Sequence, residues 1–232
     1  MALHHNPRIV TDGVTVILDP ADSNSYISGS TDVFNLAGNV SASLFNGTGY
    51  SSINQGVFNL DGSNDVIGMP YVQDTGGSYA VEVWAKCDTM DTDGNNRQVV
   101  FSFNTGPEPG YKLLTLGVWG DNANSFNGDG TNYTGGPVHI KTSVDANNWH
   151  SYILSSNSGV WSWYIDGELA TSYTPTYTAT SAYFKLATRG SGLSNASSNW
   201  SGKIGPAKIY NRALTAQEVL QNYLAQKSRF GL

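Results

Sequence analysis

Glutamate is scarce in this chain, and the four present are Glu82, Glu108, Glu168 and Glu218. Cleaving a glycosidic bond with retention needs two carboxyls ~5–5.5 Å apart, which same-face strand neighbours supply through an acid-x-acid-x-acid pattern. Glu82 has Ala80 and Trp84 as its same-face neighbours, so no second acid stands beside it. Asp166-Gly167-Glu168 has the i, i+2 spacing, but Asp-Gly is a turn dipeptide and the pair straddles a hairpin. Glu218 follows Thr215 by three residues, which is the spacing of a helix cap. Nucleophile chemistry finds no better footing. His4, His5, His139 and His150 are far apart, apart from the first two, and no Gly-x-Ser-x-Gly elbow is present. His150 follows Trp149 in a strand and reads as a half-buried packing residue, and His4-His5 reads as part of a docking arm. The expectation is a chain without catalytic work.

Binding chemistry is better represented. A glycan site needs an aromatic ring to stack on a sugar and planar amide, carboxylate or guanidinium groups for hydroxyls. Trp119, Asp121, Asn124, Phe126, Asn127, Asp129 and Tyr133 supply those types within one stretch. The same residues suit a second reading, in which Trp119 ends a core strand and the following loop packs on a neighbouring subunit. Hard oxygens for a hard cation gather at Asp88-Thr89-Met90-Asp91-Thr92-Asp93-Gly94-Asn95 and again at Asp121, Asn124, Asn127 and Asp129. The first run has its Gly at the wrong place for an EF-hand, and no Glu follows at the twelfth position. Asn and Asp in such runs equally serve as turn formers.

These residues must be positioned by strands. Val14–Asp19 is an apolar run stopped by Pro20, and short apolar pieces follow at Val33–Leu36 and Leu44–Phe45. Val57–Leu60 and Val66–Met69 flank Asp61-Gly62-Ser63-Asn64-Asp65, which predicts a hairpin. In Tyr79–Cys87 the odd residues Tyr79, Val81, Val83, Ala85 and Cys87 alternate with Ala80, Glu82, Trp84 and Lys86, a period of two with one core face. Val99–Phe103, Leu113–Trp119, Val138–Val144, Trp149–Leu154, Val160–Ile165 and Tyr183–Ala187 continue the pattern, with Trp161, Trp163 and Ile165 sharing a core face. The stretch Gly117–Pro137 reads as too polar and glycine-rich for a strand. Ile204, Ala207 and Ile209 are spaced three then two, so Gly205-Pro206 predicts a bulge on an edge strand. The chain then closes with Thr215-Ala216-Gln217-Glu218, a capping box, and the stripe Val219, Leu220, Tyr223, Leu224 at helical spacing. Many short strands cut by Gly/Asn/Asp turns argue an all-β, two-sheet antiparallel sandwich with one short C-terminal helix.

Composition narrows the partners. At 232 residues the chain suits one domain, with residues 1–12 as an N-terminal arm and 13–232 as the sandwich, its helix at 215–225. Charged residues are only 13% of the chain, so Ser, Thr, Asn and Gly must make much of the surface, as in extracellular or virion β-proteins. A net charge of −6 with no basic cluster excludes duplex nucleic acid and anionic membrane surfaces as expected partners. Cys87 is the single cysteine, so no internal disulfide forms, and its place in an apolar strand predicts a buried, inert thiol. The segment MALHHNPRIVTDG lacks the apolar core of a secretory signal, and no apolar stretch approaches ~18 residues. A surface-exposed composition without an export address fits a viral coat component made in the host cytoplasm.

Several blocks in order resemble laminin G-like (concanavalin A-like lectin/glucanase) jelly rolls. They are Gly13–Asp19, then Phe58-Asn59-Leu60-Asp61-Gly62-Ser63-Asn64-Asp65-Val66-Ile67, Tyr79–Lys86, Trp149-His150 through Tyr164-Ile165-Asp166-Gly167-Glu168-Leu169, and Ile209-Tyr210-Asn211-Arg212-Ala213-Leu214 before the helix. The resemblance implies a jelly-roll fold and one structural Ca²⁺ at the sandwich rim. Met1–Asp12 and Leu220–Leu232 are similar to small structural proteins of tailed phages, particularly marine cyanophages. That second likeness implies a capsid decoration, cement or fibre component on the virion surface. Its partners would be capsid or other virion proteins, host-surface glycans and further copies of itself, in a trimer. The hydrophobic ends Ile9-Val10 and Phe230-Gly231-Leu232 would supply attachment through a neighbour's edge or groove. The alternative is a carbohydrate-binding module of a secreted or cell-surface protein.

Overall fold

The computed structural model describes all residues except 1–6, 90–96, 105–112, 120–124, 130–137, 141–144, 175–179, 189, 191 and 197, and the side chains of 97, 113–119, 125–129 and 138–140. In chain order its strands are β1 (Val14–Leu18), β2 (Asp32–Val33), β3 (Ala42–Phe45), β4 (Gly49–Ser51), β5 (Val57–Asp61), β6 (Val66–Pro70), β7 (Tyr79–Cys87) and β8 (Arg97–Asn104). They continue as β9 (Leu113–Trp119), β10 (Ser125–Asp129), β11 (Val138–Ile140), β12 (His150–Asn157), β13 (Val160–Ile165), β14 (Glu168–Tyr173), β15 (Tyr183–Leu186) and β16 (Ser201–Tyr210). One α-helix, α1 (Ala216–Gln226), follows and runs into a 3₁₀ turn at Lys227–Phe230. Two antiparallel sheets stack face to face. Sheet A has the order β14-β13-β12-β7-β16-β5-β4 with β1 beside β16, and sheet B the order β11-β10-β9-β8-β15-β6-β3-β2. This is the all-β jelly-roll sandwich with a C-terminal helix that the strand pattern predicts.

Alternation builds the space between the sheets. Tyr79, Val81, Val83, Ala85 and Cys87 of β7 face Phe101, Phe103 and Phe184 of sheet B, and Trp161 and Trp163 join them, all fully or almost fully buried. Tyr79 meets Phe103 edge-on at 5.8 Å and Phe101 stacks on Trp163 at 6.4 Å, contacts worth about 0.5–1.5 kcal/mol each beyond area burial. Cys87 lies among them, and burial pushes its thiol up to about 11, so it is neutral and inert.

Three local expectations are corrected by the packing. Asp61–Asp65 does not close a hairpin: β5 pairs with β4 and β16 in sheet A, whereas β6 pairs with β3 and β15 in sheet B. Both flanking runs are apolar because each supplies one wall of the same core, and the turn between them carries the chain across it. The bulge at Gly205-Pro206 is present, but β16 is interior. Its first half pairs with β5 through Ser201–Ile204 and its second with β1 through Ala207–Tyr210, so proline stands where one neighbour gives way to the next. The helix also faces inward differently. Its cap forms as expected, Thr215 Oγ1 accepting from the Glu218 amide and Glu218 Oε2 from the Thr215 amide at 2.9 Å. Leu220 and Leu224, however, are 42% and 36% exposed, while Val219 and the polar Asn222 are buried.

The reason lies under the helix. The even face of β7 is buried too from Ala80 to Trp84, and Glu82 and Lys208 form an ion pair there at 2.9 Å with essentially no exposure. Asn222 Nδ2 donates to Glu82 Oε2 at 2.8 Å and to the Tyr210 hydroxyl at 2.9 Å, and its Oδ1 accepts from the Val10 amide at 2.7 Å. Gln226 Oε1 accepts from Lys208 Nζ at 2.5 Å and from the Trp84 indole at 3.2 Å. Trp84 is stacked against Phe230 at 4.4 Å and Tyr223 at 5.8 Å. Polar residues face inward because a buried ion pair needs its remaining lone pairs and protons satisfied.

Against the middle of the helix, at Leu220 and Tyr223, β13 and β14 are joined by Asp166-Gly167, both with positive φ (52° and 87°), the two-residue turn the sequence suggests. His150 is more than a packing residue here. Its Nδ1 meets Asp166 Oδ2 at 2.6 Å and its Nε2 meets the Asp145 carbonyl at 3.0 Å. Burial works against a charge on this ring, but the Asp166 carboxylate and the Asp145 groups outweigh it and hold the pKa above the ordinary histidine value.

Two outcomes follow. Lys208→Met should cost about 3–5 kcal/mol in urea unfolding, since Glu82 is left buried without its cation, and Glu82→Leu/Lys208→Met should recover most of that loss. Because the His150 pKa is raised on folding, its stabilisation is fully present below the unfolded value of about 6.5 and fades as pH rises through the folded one. Thermal midpoints measured from pH 5 to pH 9 should show that fall in the wild type and lose it in His150→Gln.

Candidate glycan-binding face

The stretch 117–137, read from sequence as a polar insert, contains strands. β9 and β10 pair antiparallel with Trp119 opposite Ser125, Gly117 opposite Asn127 and Thr115 opposite Asp129. Such direct pairs occupy one face of a sheet, and alternate residues along a strand return to it. Trp119, Asn127 and Asp129 therefore hold positions on one face of a β-hairpin at the end of sheet B. The polar residues of β10 were read as loop because this strand is partnered near a sheet end and carries no apolar alternation on one face.

Register extends that face across neighbouring strands. One row runs Arg97–Trp119–Ser125, the next Val99–Gly117–Asn127–His139, and the third Lys185–Ser102–Thr115–Asp129. Phe101 and Phe103 occupy the opposite, core side of β8, which places these rows on the outside of the sandwich. With strands ~4.8 Å apart and rows ~6.8 Å apart, the positions from β8 to β11 span roughly 14 Å by roughly 14 Å. Gly117 sits at the centre of this lattice, where the sequence places no side chain.

A loop bounds the face on its β8–β15 side. Ser102 Oγ donates to the Thr188 carbonyl at 2.8 Å, Asn104 Nδ2 donates to the Gly190 carbonyl, and Lys185 Nζ donates to Gly190 O at 2.9 Å and Asn195 O at 2.6 Å. All three side chains are fully buried, though they point away from the core. Burial lowers the Lys185 pKa to about 8. Gly68, opposite Lys185 on β6, makes room for the same loop: a Cβ there would come within 2.7 Å of the Leu193 carbonyl. Sequence reasoning did not single out Arg97 or Lys185 and weighed His139 only among the scattered histidines, because their relation to this stretch is a matter of register.

Of the residues singled out for glycan contact, Trp119, Asn127 and Asp129 are thus brought onto one face, whereas Asp121, Asn124 and Tyr133 lie outside the described residues. The attachment set divides. Val10 and Phe230 are buried within the domain, Val10 against Asn222 and Phe230 against Trp84 and Trp149, so neither is free to enter a neighbour's groove. Ile9 is half-buried, and Leu232 is exposed. The segment from Pro7 is not a loose arm: Gln221 donates to the Arg8 carbonyl at 2.8 Å and Arg212 pairs with Asp12 at 2.8 Å.

The candidate acids separate as well. Glu82 is sealed beneath α1, Glu168 begins β14, Glu218 caps the helix with Arg212 holding its carboxyl down at about 2, and Glu108 lies outside the described residues. Asp88, the described acid of the first oxygen-rich run, pairs with Lys203, and Asp91, Asp93 and Asn95 lie outside. Among the described residues no cluster of three or more His, Cys, Asp or Glu is arranged to hold a metal, and no helix is long and apolar enough to cross a membrane.

Solved structures share this architecture. The chain is similar to Trypanosoma rangeli sialidase in complex with sialic acid, at a TM-score of 0.70 and 15% identity over 95% of this chain and 34% of the sialidase. It is similar to the botulinum neurotoxin serotype D binding domain (TM-score 0.68, 16% identity, 93% of this chain and 52% of that one). The binding domain of Paraclostridial Mosquitocidal Protein 1 gives 0.63 and 13% over 91% of this chain and 52% of its own. The chain therefore spans about a third of the sialidase and about half of the toxin domains. No curated protein sequence matches it. The family model described as the concanavalin A-like lectin/glucanases superfamily matches residues 61–220, well over half of the 232, and the chain belongs to that superfamily.

Proposed function

We propose that this chain is a non-enzymatic, lectin-type adhesion domain displayed on a particle surface, as a decoration or fibre component of a phage virion. The observation that carries the glycan part is the register that sets Trp119, Asn127 and Asp129 on one hairpin face, around a position with no side chain. An indole can stack on the apolar face of a sugar ring while amide and carboxylate groups take its hydroxyls, and such a face on a rigid sandwich needs little ordering to bind. The neighbours named as binding domains, and the sialidase solved with sialic acid, support that direction.

The virion part is supported by composition and by the likeness of the chain's ends. A share of 13% charged residues leaves a surface of Ser, Thr, Asn and Gly. Host-surface glycans, capsid or other virion proteins and further copies of the chain are the partners this reading implies. With Val10 and Phe230 inside the fold, Ile9 and Leu232 remain as the attachment candidates at the ends.

On a glycan array the full chain should bind a defined subset of oligosaccharides, and Trp119→Ala should reduce that binding at least about tenfold, the scale of one lost aromatic stacking contact. Binding unchanged in Trp119→Ala would remove the hairpin face as the site. Mass spectrometry of purified phage particles carrying this gene should detect the chain, and its absence there would remove the virion placement.

A further inference from the structure

Glu82 does more than balance Lys208. The two residues stand directly opposite one another on β7 and β16, and Lys208 Nζ donates to Glu82 Oε1 at 2.9 Å. The other oxygen of the same carboxylate, Oε2, accepts from the side-chain amide of Asn222 at 2.8 Å. An amine and a primary carboxamide are thus held side by side on one acid–base group. The carboxamide is polarised from its other end too, since Asn222 Oδ1 accepts from the Val10 amide at 2.7 Å. Its Nδ2 also donates to the Tyr210 hydroxyl at 2.9 Å. Glu82, Lys208, Asn222 and Tyr210 are all essentially without exposure, so bulk water does not compete for the carbonyl. Satisfying a buried ion pair needs a donor at Oε2, but it does not need that donor to be a carboxamide clamped at its oxygen by a backbone N–H.

From this cluster we propose that Lys208 and Asn222 join in a spontaneous intramolecular isopeptide bond, with Glu82 as the catalytic acid and base. A proton passes from Nζ to Oε1 and leaves a neutral amine beside a neutral carboxylic acid. Nζ then attacks Asn222 Cγ, and the charge that develops on Oδ1 is met by the Val10 N–H, which serves as an oxyanion donor. Glu82 hands its proton to Nδ2 and takes a second one from Nζ. The Cγ–Nδ2 bond breaks, ammonia leaves, and an Nζ–Cγ amide and a protonated Glu82 remain. Nothing is oxidised or reduced, and no further reactant is consumed. Free amines attack carboxamides very slowly in water, but fixing both partners in one place is equivalent to effective molarities of about 10⁵–10⁸ M. Loss of ammonia and removal of two buried charges favour the product. The ion pair is the state reached on folding, whose worth Lys208→Met reports, and the amide bond is what it becomes. The bond ties the last strand to the helix, so the C-terminal end cannot peel from sheet A.

Mass spectrometry of purified full-length chain tests this directly. The intact mass should fall short of the sequence mass by one ammonia. After trypsin, residues 204–212 and 213–227 should appear as one branched peptide, uncleaved at Lys208, with fragment ions placing the branch between Lys208 and Asn222. Glu82→Gln, Lys208→Arg and Asn222→Ala should each lose the branch and keep their full sequence mass, with circular dichroism confirming that they fold. The wild-type peptide map decides whether the bond exists even where a variant fails to fold. Separate linear peptides at full mass, or ammonia lost from a single unbranched peptide, would overturn the bond. A branch at Gln226, whose Oε1 also accepts from Lys208 Nζ, would overturn Asn222 as the acceptor. A branch that persists in folded Glu82→Gln would overturn the catalytic role of Glu82.

Discussion

The Glu82–Lys208 ion pair is the constraint around which one side of this molecule is organised. Two opposite charges with essentially no exposure are stable only when both are also hydrogen-bonded, because desolvation otherwise outweighs their attraction. A bare sheet face cannot supply those bonds. The C-terminal helix does, through Asn222 and Gln226, and Asn222 in turn accepts from the Val10 amide. Tyr210 closes the circuit by donating to the Val10 carbonyl at 3.1 Å. One polar knot therefore ties β7, β16, the helix and the segment before β1, residues separated by up to 212 positions in sequence. Apolar packing alone would hold the helix on the sheet without fixing its rotation. The requirement to satisfy this pair selects a single rotation, at the cost of leaving Leu220 and Leu224 toward solvent.

That constraint also explains what was legible in the sequence. The alternation in β7 and the capping box at Thr215 are local patterns, and local physics produces them as written. The inward face of the helix was misread because the apolar stripe Val219, Leu220, Tyr223, Leu224 is the only periodic signal in the segment. The demand for Asn222 comes from Glu82, 140 residues away. The turn at Asp61–Asp65 was misread for a related reason. Turn chemistry and flanking apolar runs look alike whether the two strands pair or pass to opposite sheets, and only the partners β16 and β15 decide between them.

The candidate face was partly legible. Residue types around Trp119 announced sugar-binding chemistry, but a strand as polar as Ser125-Phe126-Asn127-Gly128-Asp129 carries no periodic signal that separates it from a loop. Its strand character comes from pairing with β9 on one side and β11 on the other. Arg97 and His139 could not be joined to it beforehand, since their relation to Trp119 and Asn127 is a matter of register across three strand pairs.

The outside of sheet A at β7 and β16 is taken up by the helix, the 3₁₀ turn and the segment from Pro7, which together bury Trp84, Glu82 and Lys208. The outside of sheet B at β8 and β15 is taken up by the loop from Thr188 to Asn199, held by Ser102, Asn104 and Lys185. In both places polar or aromatic side chains that point away from the core are buried by a later segment of chain. Ser198 of the same loop also accepts from the Val99 amide at 3.1 Å, so its described hydrogen bonds tie it to both β8 and β15. The loop is thereby anchored to the outer face of sheet B by a buried lysine, as the helix is anchored to the outer face of sheet A by a buried ion pair, so each sheet carries a later chain segment fixed in place by a satisfied buried charge.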